Sequence, residues 1–137
     1  MRPSCTDTKG IAMRTITTVE MNPDSREEYL PGYTPQFPHI ASHIDGRLYQ
    51  SDVAPWHWHE SVELFYVRRG SILYRTPHAE HVVHAGCGGM VNSHILHTTK
   101  ILDPSLDMAL HLFSPSLVAG VGGGTVERRY IRPLTAD

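Results

Sequence analysis

With 137 residues, the chain can enclose one hydrophobic core but not two, and 40% hydrophobic against 19% charged residues is the balance of a globular domain, not of a disordered one. A net charge of -2 excludes a basic footprint for nucleic acid, and no apolar run approaches the roughly 20 residues that a membrane helix requires. The polar opening MRPSCTDTKG lacks the apolar core of a signal peptide, so a cytoplasmic location is expected, and Cys5 and Cys87, far apart and outside any CxxC spacing, read as reduced, unpaired thiols.

Residues 1–21 read as a flexible extension in which alternating β-formers begin only at Arg14, with Met13 as a second candidate start. Pro23, Pro31, Pro35 and Pro38, with a turn at Pro31-Gly32, disfavour a long helix, and residues 22–46 are expected to form a surface arm. From Arg47 to Phe113 the sequence becomes a series of short β-type runs: LYQSDV, PWHWH, ELFYV, SILYRT, HVVHA, MVN, ILHTTKIL and MALHLF. The turns RRGS, TPHAE, AGCGG and DPSLD separate them. Many short strands at even spacing, with no helical pattern between them, predict an antiparallel barrel or sandwich rather than a βαβ fold. After Phe113, SPSLVAG and Thr125 to Arg132 each suit about two helical turns, divided by Gly122-Gly123-Gly124. The domain proper is therefore expected over residues 47–134.

The ten histidines exceed what composition would supply, and PWHWHESVELFYVRRG, residues 55–70, concentrates the chemistry. On a strand, alternate residues share a face, so His57 and His59 project together and Trp56 and Trp58 project oppositely. A straight strand would carry Glu63 roughly 20 Å from His57, too far to share a metal ion bonded at about 2.1 Å. The chain must therefore turn between His59 and Glu63, with Glu60-Ser61-Val62 as the corner, before ELFYV begins the antiparallel neighbour. A fourth group must come from a later strand, and His97 is the best candidate.

These residues resemble a known family. HxHxxxExxxxxxG at His57, His59, Glu63 and Gly70 is similar to the first cupin motif, and Gly86 through His97 has the spacing of the second. Across roughly residues 30–134 the chain further resembles the N-terminal effector-sensing and dimerisation domain of AraC-type transcription regulators, in PWHWHESVELFYVRRGSILYRT, HAGCGGMVNSHILHTTK, LHLFSPSLVAG and ERRYIRPL. Cys87 stands where the second motif usually has aspartate, and Asn92 and His94 stand where metal-binding cupins commonly have proline and glycine. The resemblance implies an all-β fold, a cupin-type antiparallel β-barrel of jelly-roll character, with an N-terminal arm and a short C-terminal helical segment. It also implies a small-molecule effector in the lumen, a homodimer, and DNA contact only through a helix-turn-helix domain whose length, helical period and basic charge are not found in these 137 residues.

The residues leave alternatives open. His57, His59, Glu63 and His97 either hold a divalent transition metal (Zn, Ni, Fe or Mn) or form a polar cluster that satisfies itself. Trp58, Phe65 and His111 are the ligand-contact candidates, though tryptophans at such positions more often pack, and His111 contacts ligand only if the face it shares with Ala109 and Phe113 is the lumen. His78, His81 and His84 read as ordinary strand or surface residues, and His94, an odd number of residues from His97, should face away from it. Arg128, Arg129 and Arg132 read as a solvated face or a junction to another domain. The competing function is a small metal-dependent cupin enzyme, a dioxygenase or isomerase, built on the same four groups.

Overall fold

The computed structural model describes residues 13–135, so Cys5 and most of the expected extension lie outside the described residues. Nine strands follow in chain order: β1 (Arg14–Thr15), β2 (His39–Asp45), β3 (Val53–His57), β4 (Val62–Arg69), β5 (Ser71–Thr76), β6 (Ala79–His84), β7 (Gly88–Val91), β8 (His97–Ile101) and β9 (Asp107–Phe113). They form two sheets, one in the order β1-β2-β9-β4-β7 and the other β3-β8-β5-β6, with every pairing antiparallel except β1 with β2. The expected all-β, cupin-like architecture is present, as two facing sheets that share no hydrogen-bonded ladder rather than as one closed barrel.

Period-2 alternation explains which side chains lie between the sheets. In β9, Met108, Leu110 and Leu112 point inward, and in β4, Phe65 and Val67 do. Ile72 of β5, Val91 of β7 and Leu106 complete the core cluster, so the interior is shared by both sheets. Leu64, Tyr66 and His111 take the alternate, exposed positions of the same strands.

Two glycines hold the backbones where larger residues do not fit. Gly70, between β4 and β5, has φ +81°, and a Cβ there would lie 2.9 Å from the Cα of Leu106, a core residue. At Gly89 of β7, a Cβ would meet the Phe65 ring at 2.6 Å.

Two segments differ from the sequence-based expectation. Residues 39–45, inside the span read as an arm, form β2 and pair along their whole length with β9. LYQSDV, read as a strand, is largely turn: the Leu48 and Tyr49 amides both donate to the Asp45 carbonyl, and a strand begins only at Val53. Beyond β9, α1 (Ser116–Ala119) and a π-helical turn (Glu127–Ile131) lie in the two stretches expected to be helical, and α2 (Arg132–Thr135) continues past the second. Cys87 is free and exposed.

Gly70→Ala combines left-handed backbone strain with a clash against Leu106, whereas Gly86→Ala, at φ +87° with nothing within 4 Å, carries the strain alone. Urea titration should show Gly70→Ala losing about 2–3 kcal/mol and Gly86→Ala about 1 kcal/mol. Equal losses would mean that the approach to Leu106 does not constrain the turn.

Candidate metal centre

The local fold around His57 begins with a proline. Pro55 has no amide hydrogen to give the ladder, and the β3–β8 pairing shifts register between Ala54 and His57. Pairing resumes with His57 directly opposite His97, the first residue of β8, so two histidines remote in sequence face each other with ring centroids 4.2 Å apart. β3 then ends, and β4 starts at Val62. The turn that a convergent site requires between His59 and Glu63 is therefore present. It brings the His59 ring to 5.2 Å from His97 and 6.1 Å from His57, centroid to centroid.

Each imidazole is oriented by its own backbone neighbourhood. Nδ1 of His57 lies 2.7 Å from the Pro55 carbonyl oxygen, Nδ1 of His97 2.7 Å from that of Ile95, and Nδ1 of His59 2.8 Å from that of Ser61. A carbonyl only accepts, so a hydrogen bond at these distances puts a proton on Nδ1 and, in the neutral ring, leaves Nε2 as a bare lone pair. One nitrogen from each of the three rings lies within 4.8 Å of the others, and all three residues are buried. His59 Nε2 is buried without a hydrogen-bond partner; Glu63 Oε2, 3.4 Å away, is close enough to act through its charge but does not form a well-aligned hydrogen bond. An orphaned imidazole nitrogen beside two others is a poor way to satisfy a polar cluster and a good way to present ligands to a cation. The three histidines are placed to hold a metal, with Glu63 flanking the cluster at His59 rather than lying within it.

Burial, reinforced by nearby His97, pushes the His57 pKa down to about 4, and burial likewise lowers His97, so both rings are neutral at neutral pH. For His59, burial works against the charge but is outweighed by Glu63, which raises the pKa. Burial alone would raise Glu63, yet His59, with the other two rings, holds its carboxyl below the usual range.

The sequence did not point to one further group. Glu28 lies in the arm, 11% exposed at its side chain, with Oε2 3.9 Å from His57 Nε2. Burial pushes its carboxyl up to about 7, opposed by His59 and assisted by Glu63. The arm is fixed there by Trp58: its carbonyl accepts from the Glu28 amide at 2.9 Å, its amide donates to the Arg26 carbonyl at 3.1 Å, and its indole N–H donates to the Ser25 carbonyl at 2.8 Å. Glu28 and Tyr49 line the same cavity as His57, Glu63, Phe65 and His97. No spacing rule links residue 28 to the histidine motif, because the contact is made by docking of the arm.

The other expected contacts divide. Phe65 is buried in the cavity wall, stacked on Tyr74 at 5.9 Å. Trp58 is half-buried outside the cavity, bonded to the arm and stacked on His94, which has φ +63° and is itself exposed. His111 does not contact the lumen: inward alternation on β9 belongs to Met108, Leu110 and Leu112, and His111 lies on the exposed face, its Nδ1 3.0 Å from His39 Nε2. His78, His81 and His84 are exposed, as expected.

Residues 41–131 match the AraC-like ligand binding domain. The chain belongs to that family. The match covers most of the span in which the AraC-type resemblance was read, including both sheets except β1 and the first residues of β2. No curated protein matches the chain. Similar solved structures include a cupin-2 domain containing protein from Shewanella frigidimarina, 14% identical, covering 53% of this chain and 66% of that one, with a TM-score of 0.44. An RmlC-like cupin from the same organism is 21% identical over 57% of this chain and 67% of that one, with a TM-score of 0.45. KdgF from Halomonas sp. is 20% identical over 61% and 76%, with a TM-score of 0.46. The AraC-like chain thus spans about two thirds of the length of the two Shewanella proteins.

Glu28 has a folded-state pKa raised above its unfolded value, so its contribution to stability is fully present below about pH 4.5 and is lost as pH rises through about 7. Glu28→Gln stays neutral throughout. In metal-free protein, the stability difference between Glu28→Gln and wild type should therefore shift towards the variant from about pH 5 to about pH 8, read by urea unfolding at each pH. A difference independent of pH would show that Glu28 is not buried among these groups.

Proposed function

We propose that this AraC-like domain senses a small molecule bound between its sheets and passes the occupancy to a partner, as the effector module of an AraC-type transcription regulator. The observation that carries this reading is the composition of the cavity wall. Ile16, Val19 and Glu28, which precede the sheets' main body, line the same space as His57, Phe65 and His97, so a ligand there touches the N-terminal segment and the core strands together. An arm held by a few hydrogen bonds, with four prolines between residues 23 and 38, docks weakly enough for a ligand to shift it, whereas the packed strands do not move so readily.

The chain's own groups have distinct parts in this reading. Phe65 supplies an apolar wall. His57, His59 and His97, with Glu63 beside them, would hold a divalent transition metal such as Zn, Ni, Fe or Mn, and a bound ion would supply a Lewis-acidic anchor for an anionic or oxygen-bearing group of the effector. Tyr49 has a buried hydroxyl without a partner, a further polar contact for a ligand. Homodimerisation is proposed through the C-terminal segment, which exposes Leu117, Val118, Val121, Tyr130 and Leu134. DNA contact would come through a separate helix-turn-helix domain, and a cytoplasmic setting suits such a regulator. No helix among the described residues is long and apolar enough to cross a membrane.

The second reading, a small metal-dependent cupin enzyme such as a dioxygenase or isomerase, is favoured by the ligand set alone: three neutral-capable imidazoles and a carboxylate in a buried cleft.

Hydrogen exchange separates the two. A binder found by thermal-shift screening of small organic acids and sugars should change protection in residues 21–30 or 125–133 of the full chain. Protection that changes only at cavity-lining strand positions, with both flanking segments unaltered, would make the domain a pocket or an enzyme and not a switch.

A further inference from the structure

Each sheet ends in two edge strands, and three of the four edges are blunted against pairing with another chain. β1 is only two residues long, and β7 has four and opens on Gly88-Gly89. β3 carries Pro55 and a register shift, and the arm is hydrogen-bonded to Trp58 just beyond it. β6 has none of these devices. Its six residues, AEHVVH, pair with β5 without a register shift, contain no proline or lysine, and are exposed at every position except Val83. Among the described residues, nothing pairs with its other side. An unbroken, uncovered edge of this length is a template for a further strand.

The register fixes which groups this edge offers. The Ala85 amide donates to the Gly70 carbonyl at 3.1 Å, one position beyond the Ser71–His84 pair. By the alternation of an antiparallel ladder, Ala79, His81 and Val83 therefore turn their backbone groups to β5, and Glu80, Val82 and His84 turn theirs away. The His84 carbonyl accepts from the Cys87 amide at 3.1 Å, which leaves the other outward groups for a partner. Side chains of the same three residues share the outer face of the sheet, because Ile72 and Tyr74, opposite Val83 and His81, pack into the interior. Val82 is 50% exposed there.

The pattern along this edge is complementary to itself. An antiparallel copy with its two-fold axis at Val82 sets Val82 against Val82 of the second copy, and Glu80 against His84 at both ends, all at hydrogen-bonding positions of the ladder. Glu80 gives Oε2 to Arg75 Nε at 3.2 Å, leaving Oε1 for the imidazole. Moving the axis to His81 sets Glu80 against Val82 and His81 against its own copy, so both polar pairs are lost.

We propose that β6 is a self-pairing edge: two copies of this chain join through antiparallel β6 strands centred on Val82, making one continuous sheet from two four-stranded ones. This contact goes beyond the homodimer reading above and uses neither the C-terminal segment nor the lumen. One strand pair with a single apolar contact at its centre belongs among small, reversible interfaces, so association through it is concentration-dependent.

The test is disulfide capture in the full-length chain carrying Cys5→Ser and Cys87→Ser. Across a hydrogen-bonded antiparallel pair the Cα atoms stand about 5.5 Å apart, within the span that a disulfide bridges. Val82→Cys should therefore cross-link to itself on mild oxidation. Glu80→Cys should cross-link to His84→Cys in a mixture but not to itself, roughly 14 Å away. Two further variants leave the β5 ladder intact: Val82→Lys places like charges at the axis, and Val82→Pro removes an outward amide. In sedimentation of the otherwise native chain, each should raise the dissociation constant of this contact at least about tenfold. Self-linking of Glu80→Cys as fast as that of Val82→Cys would overturn the register. Self-association untouched by both Val82→Lys and Val82→Pro in folded protein would overturn β6 pairing and leave a homodimer through the C-terminal segment standing. A chain monomeric at every concentration, with no cross-link at Val82→Cys, would overturn both contacts.

Discussion

The constraint on which the site depends is a hydrogen bond repeated three times, from an imidazole Nδ1 to a carbonyl two residues away in the same chain. It is local, so each strand end or turn carries its own orienting group: Pro55 for His57, Ser61 for His59, Ile95 for His97. It also sets the tautomer of the neutral rings, leaving Nε2 as the free nitrogen of each in a buried space where one nitrogen from every ring lies within 4.8 Å of the others. Leaving a buried polar atom unpaired costs on the order of 1–3 kcal/mol, and His59 Nε2 is such an atom. The rest of the fold is consistent with tolerating that cost: the bulge at Pro55, the β3–β8 register that sets His57 against His97, and the turn before Val62 all act to bring these nitrogens together.

The electrostatics of the lumen follow from where the carboxylates stand. Glu63 is beside His59 and raises its pKa, while burial lowers those of His57 and His97, which have no carboxylate so close. Glu28 faces His57 at a longer distance and is held in its protonated form more readily than an ordinary glutamate. One acidic group thus belongs to the strand frame and the other to the arm, which brings the arm's chemistry into the lumen. The outward side of the same strands has no part in this: His111 and His39 contact each other on the exposed face.

Much of this was legible in the residues. The i, i+2 rule put His57 and His59 on one face, and the reach of a metal bond required the turn before Glu63 that the structure contains. His97 followed from motif spacing, and the structure pairs it with His57. Alternation in MALHLF was also correctly periodic, but periodicity does not say which face is inside, and the inner face proved to be that of Met108, Leu110 and Leu112. β2 was missed because HIASHID combines two histidines and an aspartate with small residues, a pattern without a clear apolar stripe, and its identity is set by β9 alongside it. LYQSDV has strand-like composition, but the Asp45 carbonyl captures the next amides into a turn. Glu28 was beyond reach altogether, since its role depends on an arm folding back through Ser25, Arg26 and Trp58, and tertiary docking leaves no periodic trace.

Long-range nitrogen–proton correlation spectra of the metal-free protein at about pH 8 read the tautomer of all three rings. His57, His59 and His97 should each show a protonated Nδ1 and an unprotonated Nε2, with the Nε2 resonances changing when Ni(II) or Zn(II) is added. Nε2-protonated rings at two or more of these positions would contradict the account, because those rings would point a hydrogen, not a lone pair, at the place where the ligands converge.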